Sequence, residues 1–237
     1  MPKQSIRPPG SVIFFFGICI GLILAFAAVW GDYEGLSYFY TGAGYPSFNG
    51  LKCPILMTRS ETGTVRVNFD NPGAEEIEPY YEVTVSGQAS MRKFEGQLPV
   101  PAHASKSIEW TVDARDMDLG FFIFINMDVL PVAGYSTRED NCGIIVLNIA
   151  GPTGGQILNL SLSLSLLGIV IGYGLWESDA KKNAWGSDNL SYAMKALGLA
   201  VLLAMLTGFL GWWLAGVLFG VLTILLMVIV LRLFVNP

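Results

Sequence analysis

The chain has 237 residues, of which 52% are hydrophobic and only 14% charged, with a formal net charge of −5. Its mean hydropathy of +0.51 is too apolar for an ordinary soluble domain. Residues 31–150 hold 16 Asp/Glu against 8 Lys/Arg, and the rest of the chain holds 3 against 6. An acidic middle excludes nucleic acid as a partner, because that role needs a basic face. The distribution instead fits one exposed domain set between membrane spans.

Residues 1–10 read as a cytoplasmic N-terminus carrying Lys3 and Arg7. Residues 11–30, SVIFFFGICIGLILAFAAVW, contain no charge. A helix of that length rises about 30 Å, the thickness of the hydrocarbon core, which gives the first transmembrane helix. Its basic start and Ala25-Phe26-Ala27 resemble a signal peptide with a cleavage site. The apolar stretch is longer than the roughly 7–15 residues of a signal core, so a retained helix is expected. Cleavage is the alternative and would leave three spans.

Residues 31–50 form an aromatic linker with Tyr33, Tyr38, Phe39, Tyr40, Tyr45 and Phe48. Aromatic residues this dense beside a membrane read either as an interfacial collar or as a contact surface for a partner. Trp212 and Trp213 fall at the same expected interface.

From 51 to 149 the period changes to two. Val65, Val67 and Phe69 alternate with polar neighbours, as do Tyr81, Val83 and Val85, and Ile108, Trp110 and Val112. Such alternation marks half-buried antiparallel strands. FFIFINMDV and CGIIVLNI are more continuously apolar and read as central strands. Turn signals at Asn71-Pro72-Gly73, Ser86-Gly87 and 131–141 separate the runs. About seven strands in about 100 residues predict an extracytoplasmic β-sandwich.

Cys53 reads as the start of the first strand of this region and Cys142 as the start of the last. A disulfide between them is expected, since disulfides persist outside the cytoplasm, two free buried thiols being the alternative. Cys19 lies within the first span. The chain has neither a CxxC motif nor a Cys/His cluster.

The run VRVNFDNPGAEEIEPYYEVTVSG, followed by LPVPAHASKSIEWTV, resembles the immunoglobulin-like sandwiches of bacterial surface and membrane proteins, the cell-adhesion-related group above all. The resemblance covers about 100 residues. It implies an antiparallel sandwich in an extracytoplasmic position, with no shared catalytic residues to transfer. The layout of four spans with a β-rich first outer loop is also similar to claudins in topology. Claudins carry two nearby cysteines in a Trp-centred signature, whereas Cys53 and Cys142 are 89 positions apart, so that likeness stays an analogy.

Residues 156–176 form the second span, 177–194 a cytoplasmic loop, and 195–211 and 213–232 the third and fourth spans. The last two come from a charge-free run at 196–231, too long for one crossing, folded as a hairpin near Trp212 and Trp213. Lys3, Arg7, Lys181, Lys182, Lys195 and Arg232 all fall on one side if both termini are cytoplasmic and 31–155 is outside. No Asn-x-Ser/Thr triplet lies within 31–150, and the bacterial plasma membrane is the expected location.

Apart from Lys195 and Arg232, each at the end of its span, no Asp, Glu, Lys, Arg or His lies inside a span so drawn, which removes the usual marks of ion or proton pathways. His103 is the single histidine and sits in a turn. No nucleophile elbow, zinc-protease motif or phosphate loop occurs. Clusters at Glu75, Glu76 and Glu78 and at Asp113, Asp116 and Asp118 offer oxygens to calcium. They also fit solvated turns, so no metal and no cofactor is expected.

Small residues recur at four-residue spacing in every span: Gly17 and Gly21, Gly168 and Gly172, Ala196, Ala200, Ala204 and Gly208, Gly216 and Gly220. Such stripes let helices approach closely, in the same chain or in another. The sequence therefore points to a non-enzymatic accessory or assembly subunit of a larger membrane complex. Its partners would be membrane lipid and other membrane subunits or further copies of itself. A surface adhesion or ligand-binding module, using the 132–141 loop, is the alternative. A channel or transporter component is a third reading.

Overall fold

A computed structural model of the chain describes residues 9–39, 50–130, 137–183 and 188–235. Tyr40, Tyr45 and Phe48 of the expected collar, and residues 132–136 of the 132–141 loop, lie outside the described residues. Two units divide the chain: Met1–Val29 with Leu158–Pro237, and Trp30–Ile157.

Four helices are described: α1 (Pro9–Tyr38), α2 (Gly154–Asn183), α3 (Asp188–Phe209) and α4 (Trp213–Val235). All four are long and apolar enough to cross a membrane. Their ends differ from the expected ones. Helix α1 runs eight residues past Trp30, so 31–38 is helix and not an irregular linker. The 177–194 segment is largely taken up by the last turns of α2 and the first turns of α3. No Gly or Pro interrupts residues 177–183, and Glu177 pairs with Lys181 one turn on, at 3.0 Å.

The start of α2 is fixed by a capping box. Gln156 N donates to Thr153 Oγ1 at 3.2 Å, and Thr153 N donates to Gln156 Oε1 at 3.0 Å. The chain turns between α3 and α4 at residues 210–212, where Gly211 takes a left-handed φ of 72°.

In the helical unit the small residues serve contacts within the chain. A Cβ at Gly17 would meet backbone atoms of Ile169, Ser165 and Gly168 at 2.7–2.9 Å. One at Gly172 would meet the Phe14 backbone at 2.3 Å, and one at Gly21 would meet Ser165 and Val201. Ser165 Oγ donates to Gly17 O at 2.9 Å, so α1 and α2 touch backbone to backbone. Gly208 faces Ala25 and Ala28, Gly216 faces Val29 and Gly208, and Ala200 and Ala204 are buried. Two positions of the stripes are different: Ala196 is exposed, and Gly220 has open space around it. Each turns away from the neighbouring helices of its own chain. Gly10, which faces Gly172 and Trp176, completes the α1 stripe.

Because these contacts are internal, Gly17→Leu is expected to lower the stability of the chain itself by about 3 kcal/mol, the upper range for overpacking. Thermal unfolding of the detergent-solubilised protein measures this; an unchanged midpoint would show that α1 and α2 do not meet at Gly17.

Among its described residues the second unit holds eight strands: β1 (Leu51–Lys52), β2 (Leu56–Thr58), β3 (Gly63–Asn71), β4 (Tyr80–Val85), β5 (Arg92–Gln97), β6 (Ala104–Val112), β7 (Phe122–Leu130) and β8 (Arg138–Leu147). They form a three-stranded sheet in the order β1-β3-β6 and a five-stranded sheet in the order β2-β8-β7-β4-β5. Pairing is antiparallel except for β2 with β8. The alternation in sequence becomes alternation in burial. Val65, Val67 and Phe69 of β3 are buried while Arg66 and Asp70 are exposed. These residues meet Val83, Val85, Ile123, Ile125, Met127 and Ile144 of the other sheet in one core. Trp110 sits in it against Tyr81 and Phe94.

The expected Cys53–Cys142 disulfide is present, with a Cα–Cα distance of 6.5 Å. Cys142 does not open the last strand; it is the fifth residue of β8. Cys53 lies at the break where the first strand leaves one sheet as β1 and joins the other as β2.

Candidate functional site

The outer face of the five-stranded sheet carries two features that lie far apart in sequence. The first is a helix seat. In the last turns of α1, Gly31 and Gly35 are four residues apart and lie against β8. A Cβ at Gly31 would meet Gly143 O at 2.6 Å, and one at Gly35 would meet the Cys142 backbone at 2.6–2.8 Å. The next turn brings Tyr38 onto the sheet, its ring stacked on Phe124 at 4.4 Å and its hydroxyl donating to Asp118 Oδ2 at 2.5 Å. That bond, with the Leu119 amide, holds the Asp118 carboxyl below its ordinary value. Of the collar residues, Tyr38 and Phe39 are therefore half-buried, whereas Tyr33 is exposed. In the other unit Trp212 is exposed and Trp213 half-buried.

The second feature is an acidic row. Register aligns Glu95 with Glu82, Glu82 with Asp128, and Asp128 with Glu139. Four carboxylates thus stand side by side across β5, β4, β7 and β8, on one face. Like charges directly opposite one another in a sheet repel. Two groups relieve the β5–β4 end: Lys93 pairs with Glu82, and Tyr80 donates to Glu95 Oε2 at 2.7 Å. Toward the β7–β8 end, burial and then the nearby Glu82 push the Asp128 carboxyl up. Burial and then Asp128 push Glu139 up. The buried Asn126 donates to Asp128 Oδ2 at 2.9 Å, which partly offsets the repulsion.

A carboxyl whose folded pKa is raised binds more protons in the folded state than in the unfolded one, so the domain loses stability as pH rises through that value. Asp113 behaves oppositely. Arg115 holds it at about 2, and its stabilisation is lost as pH falls from the ordinary value toward that point. Stability is therefore expected to rise as pH drops from neutral into the ordinary carboxylate range, then to fall in stronger acid. Asp128→Asn is expected to flatten the upper limb and to add about 0.5–1 kcal/mol at neutral pH. Denaturant unfolding at a series of pH values measures both; a loss of stability in the variant would mean the row is not repulsive.

The Asp113, Asp116 and Asp118 cluster is engaged in local structure. Asp113 caps the short 3-10 helix Ala114–Asp116. Asp116 is buried and accepts from Arg92, which also reaches Thr111 O. Asp118 accepts from Tyr38 and the Leu119 amide. Among the described residues no group of three or more His, Cys, Asp or Glu is arranged to hold a metal ion. Glu75, Glu76 and Glu78 are exposed in their turn, and His103 adopts φ 53° in another.

Only Glu82 stood at a polar position of an alternating run; Asp128 lay in a run read as continuously apolar, and Glu139 in a segment read as a turn. Which four positions align is set by strand register, which alternation does not report. The helix seat had a direct signal in GDYEG, a glycine pair at helical spacing beyond the apolar run.

No family model matches the chain, and no curated protein matches it. Among solved structures it is similar to a Paenibacillus sp. cycloisomaltooligosaccharide glucanotransferase, at 8% identity and a TM-score of 0.34 over 43% of this chain and 14% of that one. It is also similar to a putative β-galactosidase of Bacteroides fragilis, at 13% identity and a TM-score of 0.30 over 42% of this chain and 16% of that one. A superoxide reductase (neelaredoxin) from Ignicoccus hospitalis matches at 13% identity and a TM-score of 0.30, over 48% of this chain and 90% of that one. Likeness at this level assigns no activity.

Proposed function

We propose that the protein is a non-enzymatic accessory or assembly subunit of a larger membrane complex. A four-helix anchor presents an immunoglobulin-like sandwich outside the membrane, with both termini in the cytoplasm. The strand orders support the immunoglobulin-like reading. Taking β1 and β2 as a first strand split between the sheets, β3 and β6 correspond to B and E, and β8, β7, β4 and β5 to G, F, C and C′. The disulfide departs from the antibody pattern, since it joins the split first strand to the last strand rather than B to F.

The observation that carries the binding role is the acidic row of Glu95, Glu82, Asp128 and Glu139. A protein that keeps like charges in register on a half-exposed sheet face loses stability there. A partner presenting Lys or Arg would relieve the repulsion on docking and would be steered to the face. The proposed partner is therefore a membrane-complex subunit with a basic extracytoplasmic surface.

The test is purification of the full-length protein from its native membrane in mild detergent, with co-purifying proteins identified and quantified by mass spectrometry. A stoichiometric set of membrane subunits is expected, lost from the Glu82→Lys, Asp128→Lys double variant and weakened by salt. A lone monomer would count against the accessory role. It would favour the adhesion or ligand-binding reading instead.

A further inference from the structure

The hairpin leading into β7 ends in an apolar tip at the same end of its unit as the first turn of α2. Asp118 and Phe122 exchange backbone hydrogen bonds of 2.7 and 3.1 Å, closing a three-residue tip of Leu119, Gly120 and Phe121. Leu119 is 59% exposed and Phe121 51% exposed. The tip is rigid, because the Asp118 side chain accepts from the Leu119 amide and Phe121 O accepts from Val146 N at 2.8 Å. Leu119 adopts φ 49°, a left-handed conformation that a leucine rarely takes and that holds its side chain out in solvent.

The turn at 58–61 ties this tip to α2. Arg59 Nη2 donates to Gly120 O at 3.4 Å, and Arg59 N donates to Leu147 O at 3.2 Å. Two residues on, Glu61 Oε2 accepts from Gly154 N, the first residue of α2, at 2.7 Å. Ile149, in the short link from β8 to α2, is 46% exposed. The exposed Leu119 and Phe121 and the arginine of the 58–61 turn are thus linked by hydrogen bonds to the start of an apolar helix.

We propose that the 119–121 tip is a membrane-surface anchor. Leu119 and Phe121 insert into the interfacial layer of the lipid, and the Arg59 guanidinium faces the lipid phosphates. The inference rests on α2 crossing the membrane from Gly154. A span that starts there puts its first turn at the lipid surface, and the 58–61 turn bonds to both: Glu61 to the start of α2 and Arg59 to the tip. The occupant is lipid because the patch is continuous with a lipid-crossing helix and carries an exposed aromatic, the residue type favoured at that depth.

Nitroxide labels test this on the full chain in phosphatidylcholine–phosphatidylglycerol vesicles. A Cys19→Ala background keeps the Cys53–Cys142 disulfide and removes the free thiol. Labels are placed through Leu119→Cys and Phe121→Cys, with Lys106→Cys on the exposed face of β6 as the water control and Val170→Cys on the exposed face of α2 as the lipid control. Collision with oxygen relative to an aqueous nickel chelate is expected to be severalfold higher at 119 and 121 than at 106, approaching that at 170. If 170 reports lipid while 119 and 121 match 106, the anchor is overturned and the membrane reading of α2 stands. If 170 also matches 106, that membrane reading fails and the anchor fails with it.

Discussion

Replacing Cys53 and Cys142 together with alanine is expected to lower the unfolding free energy of the two-sheet domain by about 4–5 kcal/mol. The bond closes a loop across a sequence separation of 89 residues. On the chain-entropy model a loop of that length removes about 4–5 kcal/mol of freedom from the unfolded state. Domains are stable by only about 5–15 kcal/mol, so the loss consumes a large share of the whole. The position of the bond makes its role specific. Cys53 lies at the break between β1 and β2, where the chain leaves one sheet for the other, and Cys142 lies in the middle of β8. Without the bond, β2 keeps a short parallel ladder to β8, from Leu56 to Thr58, and the burial of Met57 in the core. Amide hydrogen exchange of the oxidised protein and the double variant measures the effect. Protection should fall across β3, β7 and β8, and most in β2. Unchanged protection throughout would show that the sheets hold the first strand without the crosslink.

Gly143→Val should be comparably damaging for a different reason. A Cβ at Gly143 would meet Gly31 O at 2.1 Å and the Gly31 carbonyl carbon at 2.9 Å. Both are backbone atoms, so no side chain can swing aside; the last turns of α1 must lift from β8. The overlap and the lost contacts of Gly35 and Tyr38 together are expected to cost about 3 kcal/mol. The separation should also break the Tyr38–Asp118 hydrogen bond and the Tyr38–Phe124 stack. Hydrogen exchange resolves it: residues 31–38 should lose protection while β3 and β6, in the other sheet, keep theirs. Equal loss in both sheets would mean that Gly143 matters to the core and not to the helix seat. Gly31→Val should reproduce the pattern from the helix side.

Residues 31–38 show where reading the sequence went furthest astray. Six aromatic residues between a span and a sheet suggested a collar. Asp32 and Glu34 end the charge-free run, so the apolar criterion stops the span at Trp30. A helix needs no apolar surround, however; it needs one face with something to cover. Gly31, Gly35 and Tyr38 supply that face at helical spacing, and β8 supplies the surface beneath it. The small-residue stripes were read as contact surfaces without a partner attached. Gly17, Gly21, Gly168 and Gly172 meet helices of their own chain, while Ala196 and Gly220 do not.

The sequence by itself determined whatever depends on neighbours within about ten residues. Four runs were apolar enough to cross a membrane, and alternating strands lay between the first and second of them. Each of these follows from transfer free energy and backbone periodicity, which act residue by residue. Tertiary structure decided the rest: that α1 continues onto the sheet, that the first strand splits between sheets, and that Glu95, Glu82, Asp128 and Glu139 fall in one row. A shift of one residue in any strand would turn its carboxylate to the other face. Within the row, register is fixed by pairing between strands as many as 46 positions apart, as Glu82 and Asp128 are, and no local pattern encodes a distance of that kind.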